Sequence, residues 1–375
     1  MKQIEGIIRT LSPVHLGTGR SQGTFLPTLD YIPGRTIRGM LGYYLFRSNP
    51  DLFKKTGIGE YKDPSRIKIH FRNAYPVSDK GETVCSPLSL KWCKRCDSLM
   101  AGDDFFCRRK DAGNTPCLHE GKKRQGFISD ISFSTGKFDK PVEVRKTITT
   151  KCPIIRSTHT SPKGAEEGYE LSPYHIQAIA EGQEFRFRIL VMDDTVSSQV
   201  VEALSQASLY SGLGGFRSRG YGIVAFENMR VNDLKEIIPQ RRRELEAHKG
   251  SPATLVTNAP MILRSEERSV IGFADAAQTF IAEVNRSLES AHAGAQLTLD
   301  PDRKVSLGRD IARGWSLEKE SPVDEIIPCI SAGSTIPILL NDAGVIAALE
   351  TFGIGEMTYC GYGQVYCLPT AGGTR

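Results

Sequence analysis

The sequence predicts an α+β chain made of two related units with antiparallel sheets, and three observations lead there. Strand-like and helix-like segments alternate along it, and a helix, a glycine-rich loop and a strand occur in that order twice. At 375 residues it is also too long for one small core.

The first unit opens with Gln3 to Leu11, loosely alternating with Ile4, Ile7 and Ile8, which predicts a strand. A glycine-bearing loop follows, Pro13-Val14-His15-Leu16-Gly17-Thr18-Gly19. Tyr31-Ile32-Pro33-Gly34 then leads into residues 35–46, where apolar side chains at 37, 40, 41, 44 and 45 predict a helix despite Gly39 and Gly42. Residues 67–77 and 127–133 read as strands around a cysteine-rich insertion at about 85–125. Residues 185–192 alternate and then turn continuously apolar, as a partly buried strand does. Val196, Val200, Val201, Leu204 and Leu209 place a helix over 196–209. The run GLGGFRSRGYG at 212–222 enters a strand at 223–226 and closes the first unit, 1–232.

Residues 233–253 are polar and read as a linker holding a short charged helix. The second unit, 254–370, begins with the apolar segment 254–263. It ends on helical residues 345–349, then Gly353-Ile354-Gly355, Gly361-Tyr362-Gly363 and a strand at 364–367. Arg219-Gly220-Tyr221-Gly222-Ile223-Val224 and Cys360-Gly361-Tyr362-Gly363-Gln364-Val365 are versions of one ending, which argues for duplication.

Composition is that of a globular protein, 39% hydrophobic and 24% charged, and a net charge of +5 is too mild to identify a polyanion partner. No apolar run is long enough to span a membrane, and residues 1–13 are too polar for a signal peptide. The expectation is a cytoplasmic protein whose nine cysteines are reduced, so clustered cysteines read first as metal ligands. Cys93, Cys96, Cys107 and Cys117 suit tetrahedral Zn2+ in a closed structural site, with Cys85 or His119 as possible replacements for one ligand. Basic residues around this knuckle offer a contact to RNA or to a neighbouring subunit.

In the loop, glycines permit left-handed backbone and close approach to a phosphate. Arg217 and Arg219 supply bidentate donors, and Phe216 and Tyr221 are rings on which splayed bases can stack. Arg35 and Arg38 sit at the start of a helix, where free N–H groups favour an anion, and both are expected to face one phosphate. His15 is the candidate general base or acid, although its loop also suits a structural or RNA-contacting histidine. Residues 145–158 suggest a basic hairpin. No P-loop, GxSxG elbow, HExxH helix or Rossmann fingerprint occurs in its required context, so no nucleotide cofactor is expected.

At these residues the chain resembles the RAMP superfamily of CRISPR-associated proteins. Gly214-Gly215-Phe216-Arg217-Ser218-Arg219-Gly220-Tyr221-Gly222 is similar to its glycine-rich loop. Leu16-Gly17-Thr18-Gly19 with Ile32-Pro33-Gly34-Arg35-Thr36-Ile37-Arg38-Gly39 is similar to its opening signature. The resemblance covers most of the chain and is nearest to two-domain subunits of type III, especially type III-D, effector complexes. It implies two ferredoxin-like βαββαβ domains and a non-catalytic subunit binding the 5′ repeat-derived handle of a guide RNA. Arg35, Arg38, residues 214–221, Gly361 and Tyr362 are the RNA-binding residues on this reading. The implied partners are guide RNA, the large subunit, backbone RAMP subunits and, indirectly, the target nucleic acid. Two other readings stand beside it: a metal-independent endoribonuclease that processes precursor guide RNA, and a backbone subunit repeated along the guide.

Overall fold

The computed structural model describes residues 1–19, 23–60, 63–96, 99–100, 117, 119–123, 126–129, 141–152, 173–265, 268–269, 278, 280–282, 284–286, 297–312, 315–316, 321–322 and 327–369. The first half opens with β1 (Lys2–Thr10), α1 (Gly34–Ser48) and β2 (Ile69–Phe71). A strand pair, β3 (Lys146–Lys151) and β4 (Tyr174–Ile179), precedes β5 (Glu184–Val191), α2 (Ser197–Tyr210) and β6 (Val224–Asp233). Its main sheet runs β6-β1-β5-β2 with every neighbour antiparallel.

Alternation decides which face of this sheet is covered. Ile4 and Ile8 of β1 and Phe185, Phe187, Ile189 and Val191 of β5 turn to one side and are fully buried. There they meet Ile37, Leu41 and Leu45 of α1 and Val200, Leu204 and Ala207 of α2. β6 is longer than its apolar start suggested, because a sheet-edge strand with one wet face can be polar and still pair. Of the strands expected at 67–77 and 127–133, Ile69–Phe71, Tyr75–Pro76 and Phe127–Ser129 are formed, and 130–133 lie outside the described residues.

After α3 (Leu234–Glu246), the second half contains β7 (Pro252–Thr257), β8 (Thr298–Leu299), β9 (Thr335–Leu339), α4 (Ala343–Phe352) and β10 (Val365–Pro369). Its sheet runs β8-β9-β7-β10, again antiparallel throughout. Counted within each half, both sheets order their strands second, third, first, fourth. This α+β arrangement is consistent with a ferredoxin-like fold. Helical residues 280–282 and 284–286 supply Phe280, Ile281 and Val284 to the second core, within a segment the sequence left unplaced.

The short charged helix expected after Asn232 forms, and it is packed against the second half. The Asp233 side chain caps α3 by accepting from Lys235 N, and Leu234 and Leu245 are buried. Arg241 grips Glu350 of α4 through two bonds of 2.7 and 2.9 Å, and Glu350 also accepts the amide of Cys367 on β10 at 2.7 Å.

Candidate nucleic-acid interface

Each half returns from its second helix to its last strand through an eleven-residue loop, 212–222 in one and 353–363 in the other. The two loops are alike in backbone conformation as well as sequence. Gly214 and Gly355 have φ of 86°, and Gly220 and Gly361 have φ of 84° and 92°. Phe216 and Met357, neither a glycine, share the left-handed region at 57° and 56°. Leu213 N–H donates to Gly222 O and Gly215 N–H to His15 O; Ile354 to Gly363 and Glu356 to Ile262 repeat them. A Cβ on Gly214 would lie 2.4 Å from His15 O and one on Gly355 2.2 Å from Ile262 O, so glycine is required at both.

What differs is what covers them. Residues 217–220 of the first loop are exposed, whereas Tyr359, Cys360 and Tyr362 of the second are buried. The cover is the first half of the chain itself. Arg35 donates to the Tyr362 hydroxyl at 2.6 Å, and Arg38 reaches Cys360 Sγ at 3.4 Å and Glu60 O at 2.5 Å. The Arg38 guanidinium lies 5.0 Å from the centre of the Tyr359 ring. Asn73 accepts from Gly34 N–H and stands 2.4 Å from where a Cβ on Gly361 would be.

This geometry corrects several expectations. Arg35 and Arg38 do not converge on one open anion position; they turn onto the second loop and join the halves. Gly361 and Tyr362 lie in that seam, where with Arg35 and Cys360 they line a cavity of about 290 Å³. Tyr221 is only 7% exposed, packed with Ile176 and Ala178, and has no face open to a base. Nor does the first loop offer a crown of amides, since those of Leu213, Gly215, Arg219, Gly220 and Gly222 all bond within the fold. It presents guanidinium groups instead. Arg217 donates to Ser211 O at 2.7 Å and lies 5.7 Å from the centre of the Tyr43 ring. Arg219 donates to the Tyr174 hydroxyl and lies 5.6 Å from the centre of the Phe216 ring. Gly220 has nothing within 4 Å of an added Cβ. A signal for the difference is in the sequence: at the positions of Arg217 and Arg219 the second loop carries Thr358 and Cys360.

His15 is 8% exposed, with Nδ1 2.8 Å from Gln177 O and its ring 5.1 Å from that of Phe216. It holds the inner side of the first loop. Of the basic hairpin expected at 145–158, β3 forms, but its partner is β4 at Tyr174–Ile179, with six residues of each in register, and 153–158 lie outside the described residues.

The seam also carries buried charge. Arg72 donates to Glu350 O at 3.3 Å, and burial lowers its pKa to about 10. Burial first, and then the Arg72 charge, hold His70 down to about 4, where it packs against Tyr359. The unfolded chain, with an ordinary histidine, binds a proton there at a higher pH than the folded one. Stability therefore falls as pH drops from about 6.5 toward 4, by about 3 kcal/mol for this group. Urea titrations across that range should show the loss, and His70→Phe should remove that part of it.

In the insertion, Cys93, Cys96 and Cys117 bring their sulfurs within 4.8 Å of one another. Arg95 and Cys96 amides donate to Cys93 Sγ at 3.4 and 3.5 Å, and His119 Nδ1 is 3.4 Å from Cys117 Sγ. Three convergent thiols, one receiving two N–H bonds, fit a metal ion. Cys107 lies outside the described residues. The root of the insertion rests on the second half, where Cys85 N–H donates to Asn258 Oδ1 at 2.7 Å and Leu88 N–H to Gly333 O at 2.7 Å.

Paired glycine-rich loops on like-ordered antiparallel sheets define an α+β protein of duplicated architecture. The RAMP superfamily profile matches residues 7–225, more than half of the 375-residue chain, and the chain belongs to that superfamily. No curated protein matches it. Among solved structures it is similar to a chain of the type III-B Cmr-beta complex bound to cognate target RNA and AMPPnP. The identity is 13%, over 95% of this chain and 91% of that one, with a TM-score of 0.42. A chain of Cmr-beta bound to cognate target RNA matches at 17% identity, over 62% of this chain and 61% of that one, with a TM-score of 0.34. This chain thus spans about three fifths of that relative. A Cas6 product complex matches at 14% identity, over 98% of this chain and 99% of that one, with a TM-score of 0.36. No helix among the described residues is long and apolar enough to cross a membrane.

Proposed function

We propose that this chain is a non-catalytic RNA-binding subunit of a type III CRISPR effector complex, holding the 5′ repeat-derived handle of the guide RNA. One observation carries the reading. Of two copies of the same loop, one is closed by the chain's own arginines, and the other is exposed and carries arginines itself. An exposed loop with two guanidinium groups and a half-buried aromatic suits a sugar-phosphate chain. In this reading the two sheets are the cores of ferredoxin-like domains at 1–232 and 254–370. The partners are guide RNA, the large subunit and backbone RAMP subunits, in the cytoplasm, with target nucleic acid met indirectly. The inward His15 ring, tied to Gln177 O, supports a structural role for that residue.

Photo-crosslinking from a thiouridine in the handle should map to 216–219. Crosslinks confined to other segments would remove the reading, as would cleavage of labelled repeat RNA that is abolished by His15→Ala. The metal is read as Zn2+ with a structural role. Purified protein should contain about one zinc per chain, and chelation should lower the melting temperature of wild type but leave Cys93→Ser unchanged.

A further inference from the structure

We propose that a stripe on the exposed face of α1, beginning one turn beyond Arg35 and running through Gly39, Tyr43 and Arg47, is a second contact for single-stranded RNA continuing from the open loop. The proposal rests on the loop reading above and extends it to a named surface.

Exposure is the first observation. Tyr43 (39% exposed), Phe46 (65%), Leu209 (72%) and Tyr210 (76%) lie toward the C-terminal ends of α1 and α2, and Tyr43 meets Arg217 of the open loop. Tyr210 stacks on Tyr44 with ring centres 6.2 Å apart and planes 13° from parallel. Large exposed aromatics at such a density mark a surface that binds something.

The second observation is charge. Arg47 lies over the Tyr43 ring, 5.2 Å from its centre, and Arg217 of the loop lies over it at 5.7 Å, so two cations attend one ring. α1 contains no aspartate or glutamate. Guanidinium groups that swing from the ring onto phosphates free its face for a stacked base. A protein partner would be expected to meet an apolar ridge with some acidic complement.

The third observation is Gly39. A glycine inside a helix costs stability relative to alanine, and it persists where packing forbids a side chain. Nothing lies within 4 Å of a Cβ built on Gly39, so no packing inside the chain asks for glycine. The open space leaves room for a ligand to approach the helix backbone. Spaced four apart, Gly39, Tyr43 and Arg47 share one face. Together they provide a place for the backbone, a ring for a base and a cation for the next phosphate.

Fluorescence anisotropy of the full chain with labelled oligouridine tests this, with melting temperatures measured alongside. Tyr43→Ala should bind about tenfold more weakly and Tyr43→Phe like wild type. Gly39→Leu should melt a few degrees higher, because leucine favours the helix, yet bind about tenfold more weakly. Such opposite movement would not follow from a purely structural glycine. Wild-type affinity in Tyr43→Ala and Gly39→Leu, with affinity lost in Arg217→Ala/Arg219→Ala, would overturn the stripe and leave the loop reading standing. Wild-type affinity in the loop variant would strike the loop reading itself. Unchanged RNA affinity with loss of co-purifying protein subunits in the stripe variants would overturn the proposal in favour of a protein contact.

Discussion

Replacing Arg217 and Arg219 together by alanine should weaken binding of single-stranded RNA on the order of 100-fold at low salt. Each exposed guanidinium can make charge-assisted bonds to phosphate, and each phosphate neutralised releases condensed counterions. Losing two such contacts should make the slope of log affinity against log salt shallower by about 1.4. Both side chains are exposed and their local bonds are to Ser211 O and Tyr174, so the melting temperature should stay within a few degrees of wild type. The matching control is Thr358→Ala with Cys360→Ala in the second loop, which should leave the salt slope where it is. An unchanged slope in the arginine variant would mean that phosphate is held elsewhere.

A large effect on stability is expected at Gly361, and the same substitution at Gly220 should be mild. Both glycines have strongly positive φ, so alanine at either pays about 1–2 kcal/mol for left-handed backbone. At Gly220 the added methyl points into open space. At Gly361 it would meet Asn73 Oδ1 at 2.4 Å and Gly34 N at 3.2 Å, the pair that starts α1 beneath the seam. Relief requires the buried Asn73 side chain to give up its bond from Gly34 N–H, or the second loop to withdraw and loosen the contacts of Arg35 and Arg38. A total of roughly 4 kcal/mol or more is expected for Gly361→Ala, against about 1–2 kcal/mol for Gly220→Ala. Equal effects in denaturant titrations would show that the second loop is not held by the first half.

The two results are linked by the duplication. A loop whose glycines set its backbone can serve as a docking surface or as a ligand surface, depending on what stands over it. Here the second copy takes the helix start of the first half, with Thr358 and Cys360 leaving room for incoming arginines. The first copy keeps its own arginines and its exposure. The seam therefore leaves one open loop.

Much of this was legible in the residues alone. Period-two and period-3.6 patterning located β1, β5, α1, α2 and α4 within a few positions, because each buries one face of a regular element. The duplicated ending was visible because both turns need glycine at the same left-handed positions, a demand made by local backbone sterics. Of the four thiols that the cysteine spacing announced, Cys93, Cys96 and Cys117 converge, and Cys107 lies outside the described residues.

Exposure was decided by the tertiary structure. Arg35 and Tyr362 stand 327 positions apart in the chain, and nothing in the local pattern of either says that one will cover the other. For the same reason 233–253 read as a linker with a short charged helix rather than as part of the core: the buried stripe of α3 is only Leu234 and Leu245, and its main anchor, Arg241 to Glu350, is an ion pair across 109 positions. Backbone conformation follows from neighbours in sequence, which the chain itself specifies. Whether a side chain meets water, a ligand or the other half follows from how the two cores pack together, and that is settled only by contacts between distant segments.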